Sequence, residues 1–337
     1  MTDTPSDSGF TPDARLYFRA REGWRWAEAL PWIVAIAAFF VFPDYMALGT
    51  QILIAIIFAL SLDLILGYAG IVTLGHAAYF GAGAYATGML SAHLGWGEPI
   101  SAMLFGGLVG AALGFLSGWV LLRYHGLTLL MLTLATAILL MEGANAAEYW
   151  TGGFDGLVGI SIWPLFNHFE YDLWGHTYYW YALAVLFCCF LVARRIVHSS
   201  FGRSLVGIKG NVNRMHAIGT PVHGKLVKIY TISAGMAGIA GGLFAESNAY
   251  VTLDVMSFAR SGTVLIMLVL GGTGRLYGAF LGTVVYLVLE DELAKLSPEF
   301  WEFGIGLLLV VVVLFMRGGM LGALDDLVAW ARGKGKP

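Results

Sequence analysis

The chain has 337 residues, of which 58% are apolar, 14% aromatic and only 12% charged, and its formal net charge at pH 7 is −3. A soluble domain of this length would need more polar surface than these residues supply. The composition therefore predicts an all-α, polytopic membrane helix bundle that contacts the lipid bilayer, and we expect no nucleic-acid partner.

A helix that crosses a bilayer needs about 20 mainly apolar residues. Ten stretches approach that requirement, so we expect about ten transmembrane or partly membrane-embedded segments. Two of them, 30–43 and 262–272, are so short that we expect one to be tilted, broken or re-entrant. The ten predicted segments are 30–43, 45–68, 72–93, 99–122, 126–142, 178–193, 229–247, 262–272, 277–291 and 301–317.

Positively charged loops stay on the cytoplasmic side of a membrane protein. The loops between the ten segments alternate between the two sides of the membrane. Of the 19 Lys and Arg residues, only Arg260 and Lys295 then lie on the side opposite to both termini. Both termini are therefore predicted to be cytoplasmic. Most acids, Glu246 and Glu290 among them, fall in external segments or at their edges. Either these acids form a negative outer face for a basic partner, or they lie outside only because acids, unlike Lys and Arg, do not resist translocation across the membrane.

The first 29 residues are polar and carry both acids and arginines before any apolar run, unlike a signal peptide. We interpret 1–29 as a retained cytoplasmic tail, 30–317 as the transmembrane domain and 318–337 as a cytoplasmic C-terminal tail. Within the domain, the polar stretch 194–228 carries no acid, which predicts a cytoplasmic loop that binds a partner. Its cations are Arg194, Arg195, Arg203, Lys209, Arg214, Lys225 and Lys228.

Small residues recur at helical spacing in the segment 99–122. A glycine at every fourth position lies on one face of a helix, where another backbone can approach closely. This face packs either within the chain or against another subunit. The four glycines predicted to serve helix packing are Gly106, Gly110, Gly114 and Gly118.

The sequence carries no motif for catalysis or nucleotide binding. The pattern G-x-x-x-x-G-K-[ST] is missing, and its nearest approach, Gly224-Lys225-Leu226, has no hydroxyl for Mg²⁺. Cys188 and Cys189 are adjacent in an apolar segment, which predicts packing residues rather than a disulfide or zinc site. We therefore expect no enzyme activity, no cofactor and no metal, and ATP hydrolysis on another polypeptide.

Two glycine-rich stretches, 67–85 and 270–278, interrupt apolar segments. Irregular backbone at membrane depth is tolerated only when it is buried in protein or lines a cavity. The first stretch contains His76, which either faces a transport pathway or forms a hydrogen bond inside the bundle. Asp63 lies near the predicted cytoplasmic end of its segment, where a carboxylate needs a partner or water.

Several motifs, in their order along the chain, resemble one family. They are the stretch 73–85, the sequence T-G-G-F-D-G-L at 151–157, the stretch 269–282, and R-Y-H-G at 123–126 followed by Thr133 and Leu134. Together these residues resemble the branched-chain amino-acid permease subunit of bacterial ABC importers, the LivM type. The likeness extends from about residue 61 to residue 322, and only the tails fall outside it.

The resemblance implies a multi-pass permease of the bacterial inner membrane that imports branched-chain amino acids or a related small polar solute. Its implied partners are a second homologous permease subunit, two cytoplasmic ATP-binding subunits that drive transport, and a periplasmic substrate-binding protein. Relatives of this type are also associated with other amino acids, urea or amides, and small aromatic acids, so the resemblance leaves the substrate open.

In such permeases a cytoplasmic loop carries the coupling helix that docks on the ATPase, and the matching stretch is 201–219. It departs from the family pattern, which usually has acids where this chain has Gly210 and Val212. The residues that the resemblance implies for coupling are Arg203, Lys209, Arg214, Ala217 and Gly219.

The part of the first glycine-rich stretch from Gly75 to Tyr85 is also the predicted substrate pathway, because the backbone groups of a broken helix bind a small zwitterion without buried charge. An autonomous secondary transporter or channel is the alternative. Ion-driven carriers place ionisable groups near the membrane midplane, and Asp63 is the one clear candidate, which favours the importer. The predicted pathway residues are Thr73, Gly75, His76, Tyr79, Tyr85 and Thr133.

Overall fold

The structure is a computed structural model that describes most of the chain. In the described part every regular element is a helix, and the one extended pairing is an isolated antiparallel bridge between Leu157 and Val251. The predicted all-α class is therefore confirmed. The predicted tails, 1–29 and 318–337, lie largely outside the described residues, which are 26–164, 175–297, 299, 301–315 and 318–323.

The chain divides into two units, residues 1–41 and 42–337. In the first unit a 3-10 turn, Trp26–Ala29, leads into helix α1, Leu30–Val41. Helix α1 has 12 residues. At 1.5 Å per residue it spans only about 18 Å, less than the ~30 Å of a bilayer core. The first predicted segment is therefore too short to cross as a straight helix.

Each of the other nine predicted segments coincides with a helix of the second unit. The described α-helices of six or more residues in this unit are α2 Met46–Asp63, α3 Ala77–Leu94, α4 Pro99–Leu121, α5 Leu127–Ala146, α6 His176–His198, α7 Ser200–Gly210, α8 Val212–Ala217, α9 Val222–Asn248, α10 Phe258–Gly271, α11 Leu276–Leu296 and α12 Trp301–Phe315. Of these, α7 and α8 lie outside the predicted segments. Helices α4, α5, α6 and α9, and α2 with the turns on either side of it, are long and apolar enough to cross a membrane. The remaining segments are shorter, more polar or bent.

Helices α10 and α11 are bent against each other by 113° across a break of four residues. Gly272 and Gly274 adopt φ values of 111° and 76° in this break, a region in which a side chain is strained. Either α10 and α11 form one broken span or they form a re-entrant loop. The expectation of an irregular segment at 262–272 is therefore confirmed.

Helices α3, α4 and α9 pack closely through small residues. A Cβ on Gly83 would lie 2.3 Å from the carbonyl oxygen of Gly238, and a Cβ on Gly106 would lie 2.7 Å from the carbonyl oxygen of Gly83. Only glycine permits backbones to approach this closely. The predicted glycine face of α4 thus lies against α3 and α9 of the same chain.

Two stretches are more helical than the sequence indicated. Helix α6 continues to His198 and α9 begins at Val222, so the stretch 194–228 consists of two helix ends connected by α7 and α8, which occupy the part expected to carry the coupling helix. The Ser199 side chain accepts a hydrogen bond from the Gly202 amide and caps α7. Helix α3 already begins at Ala77, so the irregular backbone is limited to residues 69–76. Polar composition alone indicated only a connection at 194–228, because side-chain caps rather than apolar length support α7 and α8. In α3 the glycines that suggested a break are accommodated within a regular helix.

Candidate functional site

Residues 69–76 form the irregular segment between a π-helical turn, Leu64–Tyr68, and α3. Side chains of distant helices bind the backbone amides here. The Leu74 amide donates to Thr133 Oγ1 over 3.3 Å, and the Ala77 amide donates to Ser261 Oγ over 3.0 Å. These hydroxyls satisfy backbone groups that have no helical partner, which is the condition for irregular backbone inside a membrane.

His76 is only 1% exposed. Its Nε2 lies 2.8 Å from Ser61 Oγ, and its ring stacks on Phe58 with 5.5 Å between the ring centroids. Of the two interpretations of this residue, the structure supports a hydrogen-bonded histidine inside the bundle. In this conformation no solute reaches it.

The other predicted pathway side chains are also interior. The Tyr79 hydroxyl lies 2.6 Å from Ser117 Oγ and 3.1 Å from the Tyr230 hydroxyl. Thr73, Tyr85 and Thr133 are buried as well. The structure therefore gathers the predicted set in the interior of the helix bundle, where His76 and Tyr79 bind other buried or half-buried side chains. Their role in transport stays a prediction.

A second cluster lies where α2 ends. Asp63 is fully buried, and its Oδ1 accepts a hydrogen bond of 2.7 Å from the Gly274 amide in the bend between α10 and α11. The Lys209 ammonium of α7 donates a hydrogen bond of 2.7 Å to the carbonyl oxygen of Gly67. Asp63 and Lys209 thus join the end of α2 to the bend on one side and to α7 on the other. We call these four residues the junction.

Helices α7 and α8 present an exposed surface beside the junction. Leu205 and Ile208 bury the inner face of α7. The outer face combines cations with apolar groups, since Val206 is 53% and Ile218 69% exposed. The five predicted coupling residues, Arg203, Lys209, Arg214, Ala217 and Gly219, are all exposed on this helix pair or at its end. Exposed apolar side chains among charges are typical of a protein interaction surface.

Two charged residues lie elsewhere than the sequence indicated. Arg260, assigned to an external loop, lies in the first turn of α10 and lines a cavity. The Ser257 side chain caps α10, which begins at Phe258. Hydropathy alone predicted that this segment begins at residue 262. Glu246, assigned to an external edge, is buried at 2% exposure within α9. A serine three residues before Arg260 is the sequence signal that was available for the helix start.

The model of the branched-chain amino acid transport system / permease component family matches residues 45–313. The chain belongs to this family. It is therefore a subunit of an ABC transport system that crosses the membrane several times. The match begins just before α2 and ends within α12, so it includes the junction and the helix pair, and α1 lies outside it.

Named relatives agree with this membership. The high-affinity branched-chain amino acid transport system permease protein LivM of Salmonella typhimurium is 30% identical over 316 residues, which is 86% of this chain and 73% of the relative. The autoinducer 2 import system permease protein LsrC of Enterobacter sp. is 27% identical over 249 residues, 68% of this chain and 66% of the relative. No solved structure matches the chain significantly. Family members thus include permeases whose names give different solutes.

Proposed function

We propose that this permease subunit imports a branched-chain amino acid across the bacterial cytoplasmic membrane, paired with a second homologous permease subunit. Two ATP-binding subunits drive it, and a periplasmic binding protein supplies the solute. The observation that carries the proposal is the family match over residues 45–313. Among the relatives, the branched-chain amino acid permease LivM covers 86% of the chain and LsrC covers 68%, which favours the amino acid over autoinducer 2.

The surface formed by α7 and α8 is the proposed docking site for an ATP-binding subunit. In the orientation given by the positive charges this surface is cytoplasmic. Arg203 and Arg214 lie on it with exposed Val206 and Ile218. Apolar contact supplies affinity and the cations select an acidic rim on the partner.

The junction supplies a route from this surface to the helices of the pathway. A displacement of α7 acts on the carbonyl of Gly67 through Lys209, and Asp63 connects the same helix end to Gly274. Both bonds are charge-assisted, and such hydrogen bonds are the stronger ones. Movement of the docked ATPase therefore reaches the irregular segment 69–76 and the bend between α10 and α11 together.

Charge reversal on the helix pair tests the docking. In liposomes that contain the complete importer, the double variant Arg203→Glu, Arg214→Glu should lower ATP-driven leucine uptake at least about tenfold, because like charges across an interface cost several kcal/mol. Lys228→Glu changes an exposed cation on α9 and is the control. Uptake by the double variant equal to that of Lys228→Glu would exclude α7 and α8 as the docking surface.

The solute is tested separately. Wild-type importer in liposomes should take up labelled leucine when ATP and the liganded binding protein are present, and unlabelled isoleucine and valine should compete. Uptake that these amino acids leave unchanged would exclude a branched-chain amino acid as the solute.

A further inference from the structure

A cavity of about 530 Å³ lies between α2, α9, α10 and α11, with Phe80 of α3 and Trp301 of α12 completing its wall. This volume is within the range of about 300–1,000 Å³ typical of small-molecule sites. Its wall combines an arginine and acids with aromatic rings, whereas the predicted pathway residues do not line it. The lining residues that matter below are Arg260, Glu290, Phe58, Phe80, Phe244 and Ala55.

Arg260 is held in the cavity by aromatic rings. Its guanidinium carbon lies 5.2 Å from the ring centroid of Phe244 and 5.8 Å from that of Phe80. These contacts are with the rings and occupy none of the N–H groups in a hydrogen bond, so those groups can bind an acceptor. Toward the described residues, its side chain forms neither a salt bridge nor a hydrogen bond. An arginine in this state is prepared to bind a carboxylate through two parallel hydrogen bonds.

The partial burial of Arg260 makes its charge costly. It lies in the first turn of α10, an otherwise mainly apolar helix. An arginine in such a segment marks a functional site because its charge needs a partner or water. Asp254 and Glu290 both attract Arg260 electrostatically, and Glu290 of α11 lines the same cavity, yet Arg260 and Glu290 form no ion pair within 4 Å. Opposite charges that line one cavity without pairing suit a ligand that carries both.

The aromatic residues provide an apolar floor. The Phe58 and Phe80 rings lie 4.6 Å apart between centroids, and those of Phe80 and Phe244 lie 5.6 Å apart. Phe58 also stacks on His76. The floor thus separates the cavity from the predicted pathway residues. Phe58 and Phe80 are buried and Phe244 is half-buried, so an apolar ligand side chain would lie mainly against Phe244.

We propose that this cavity binds a zwitterionic α-amino acid with an apolar side chain, and that it holds the solute before it reaches the segment 69–76. Arg260 binds the carboxylate, Glu290 binds the ammonium, and Phe58, Phe80 and Phe244 contact the side chain. The inference rests on the proposed function, since it assumes that an amino acid enters the permease.

Protection of a cysteine from a thiol reagent tests the site without transport. Ala55 lines the cavity, so Ala55→Cys is made in a Cys188→Ala, Cys189→Ala background of the complete importer, without ATP. Leucine at twice its dissociation constant should slow labelling about threefold, because only a third of the sites stay free. The probes 3-methylbutylamine and 4-methyl-2-oxopentanoate each lack one of the two charged groups. Both should protect less than leucine at the same concentration.

Variants then assign the charges. Arg260→Gln should abolish protection by leucine and lower leucine uptake at least about tenfold. Arg260→Lys should keep part of the protection, because lysine keeps the positive charge but cannot form two parallel hydrogen bonds to a carboxylate. In Glu290→Gln, leucine should protect Ala55→Cys from labelling no better than 4-methyl-2-oxopentanoate does. Lys225→Gln is the control, since Lys225 lies in the first turn of α9 and does not line the cavity.

The outcomes separate this inference from the proposed function. If wild-type importer takes up no amino acid, the proposed function fails. If wild type imports leucine, but Arg260→Gln imports it equally well and leucine does not protect Ala55→Cys, the cavity inference alone is overturned. Should Arg260→Gln not assemble, Glu290→Gln decides, because its replacement keeps the size of the side chain.

Discussion

Two regions of this permease pack in opposite ways. Helices α3, α4 and α9 lie in close contact, whereas α10 and α11 border a cavity. In the first, which we call the glycine seam, backbones touch: a Cβ on Gly241 would lie 1.8 Å from the carbonyl oxygen of Phe80. In the second, a bent helix pair surrounds about 530 Å³ of open space that contains Arg260 and Glu290. Close backbone contact leaves no volume for a ligand, whereas the bend leaves volume and charge.

The difference indicates which part of the permease moves. Van der Waals contact over several turns, without large side chains that could change rotamer, makes the seam a rigid support. The bend at Gly272 and Gly274 is joined to the end of α2 by the hydrogen bond that the Gly274 amide donates to Asp63, and none of these residues belongs to the seam, so the bend can change without unpacking the seam. We therefore expect substitutions in the seam to affect assembly and substitutions around the bend to affect transport.

The largest effect is expected from filling the seam. In the variant Gly110→Leu, Gly114→Leu, each new Cβ would lie within 2.7 Å of Ala234. Overpacking costs about 1–3 kcal/mol per site or more, so little folded complex should be recovered by size-exclusion chromatography. Gly143→Leu is the control, because no atom lies within 4 Å of the Cβ position there. A double variant that assembles as well as the control would show that the seam tolerates separation of its helices.

Breaking the junction should have the next largest effect, and on transport rather than assembly. Lys209→Met removes the bond to the carbonyl of Gly67, and a charge-assisted hydrogen bond contributes about 1.5–3 kcal/mol. ATP-driven uptake should fall about tenfold while the yield of the complex is unchanged. Lys225→Met, on α9, is the matched control. Loss of yield without loss of uptake per complex would assign Lys209 to folding instead.

The irregular segment offers a test of accessibility. In this conformation Val72 is 40% exposed whereas Ala77 is fully buried. In a background without Cys188 and Cys189, Val72→Cys should be labelled by a water-soluble thiol reagent at least about ten times faster than Ala77→Cys in the absence of ATP. Addition of ATP should accelerate labelling at Ala77→Cys if the pathway opens there. Labelling that stays absent at Ala77→Cys in every state would show that this position is permanent core.

The smallest effect is expected at the hydrogen bond between Ser61 and His76. Ser61→Ala leaves His76 Nε2 without this partner in a buried site, which costs about 1–3 kcal/mol. The melting temperature of the complex should fall by a few degrees, and uptake should fall little. Ser204→Ala is the control, since that hydroxyl bonds only to Phe201 within its own helix. Equal melting temperatures for the two variants would contradict a structural role for His76.

Hydropathy and spacing alone predicted the helical class, the approximate position of all ten segments and the glycine face of α4. These features are local: an apolar run of sufficient length or a small residue at every fourth position has the same meaning wherever the helix lies. The resemblance of the motifs to one family also came from the sequence, and the match over residues 45–313 confirmed it.

The partners of individual polar groups were decided only by the tertiary structure. Nothing near Asp63 in the sequence indicates that its carboxylate binds the amide of Gly274, and nothing near Arg260 indicates the rings of Phe80 and Phe244. A charge inside a membrane is stable only beside a particular partner. Here each partner comes from a different helix, and the packing of those helices, not their composition, brings the groups together.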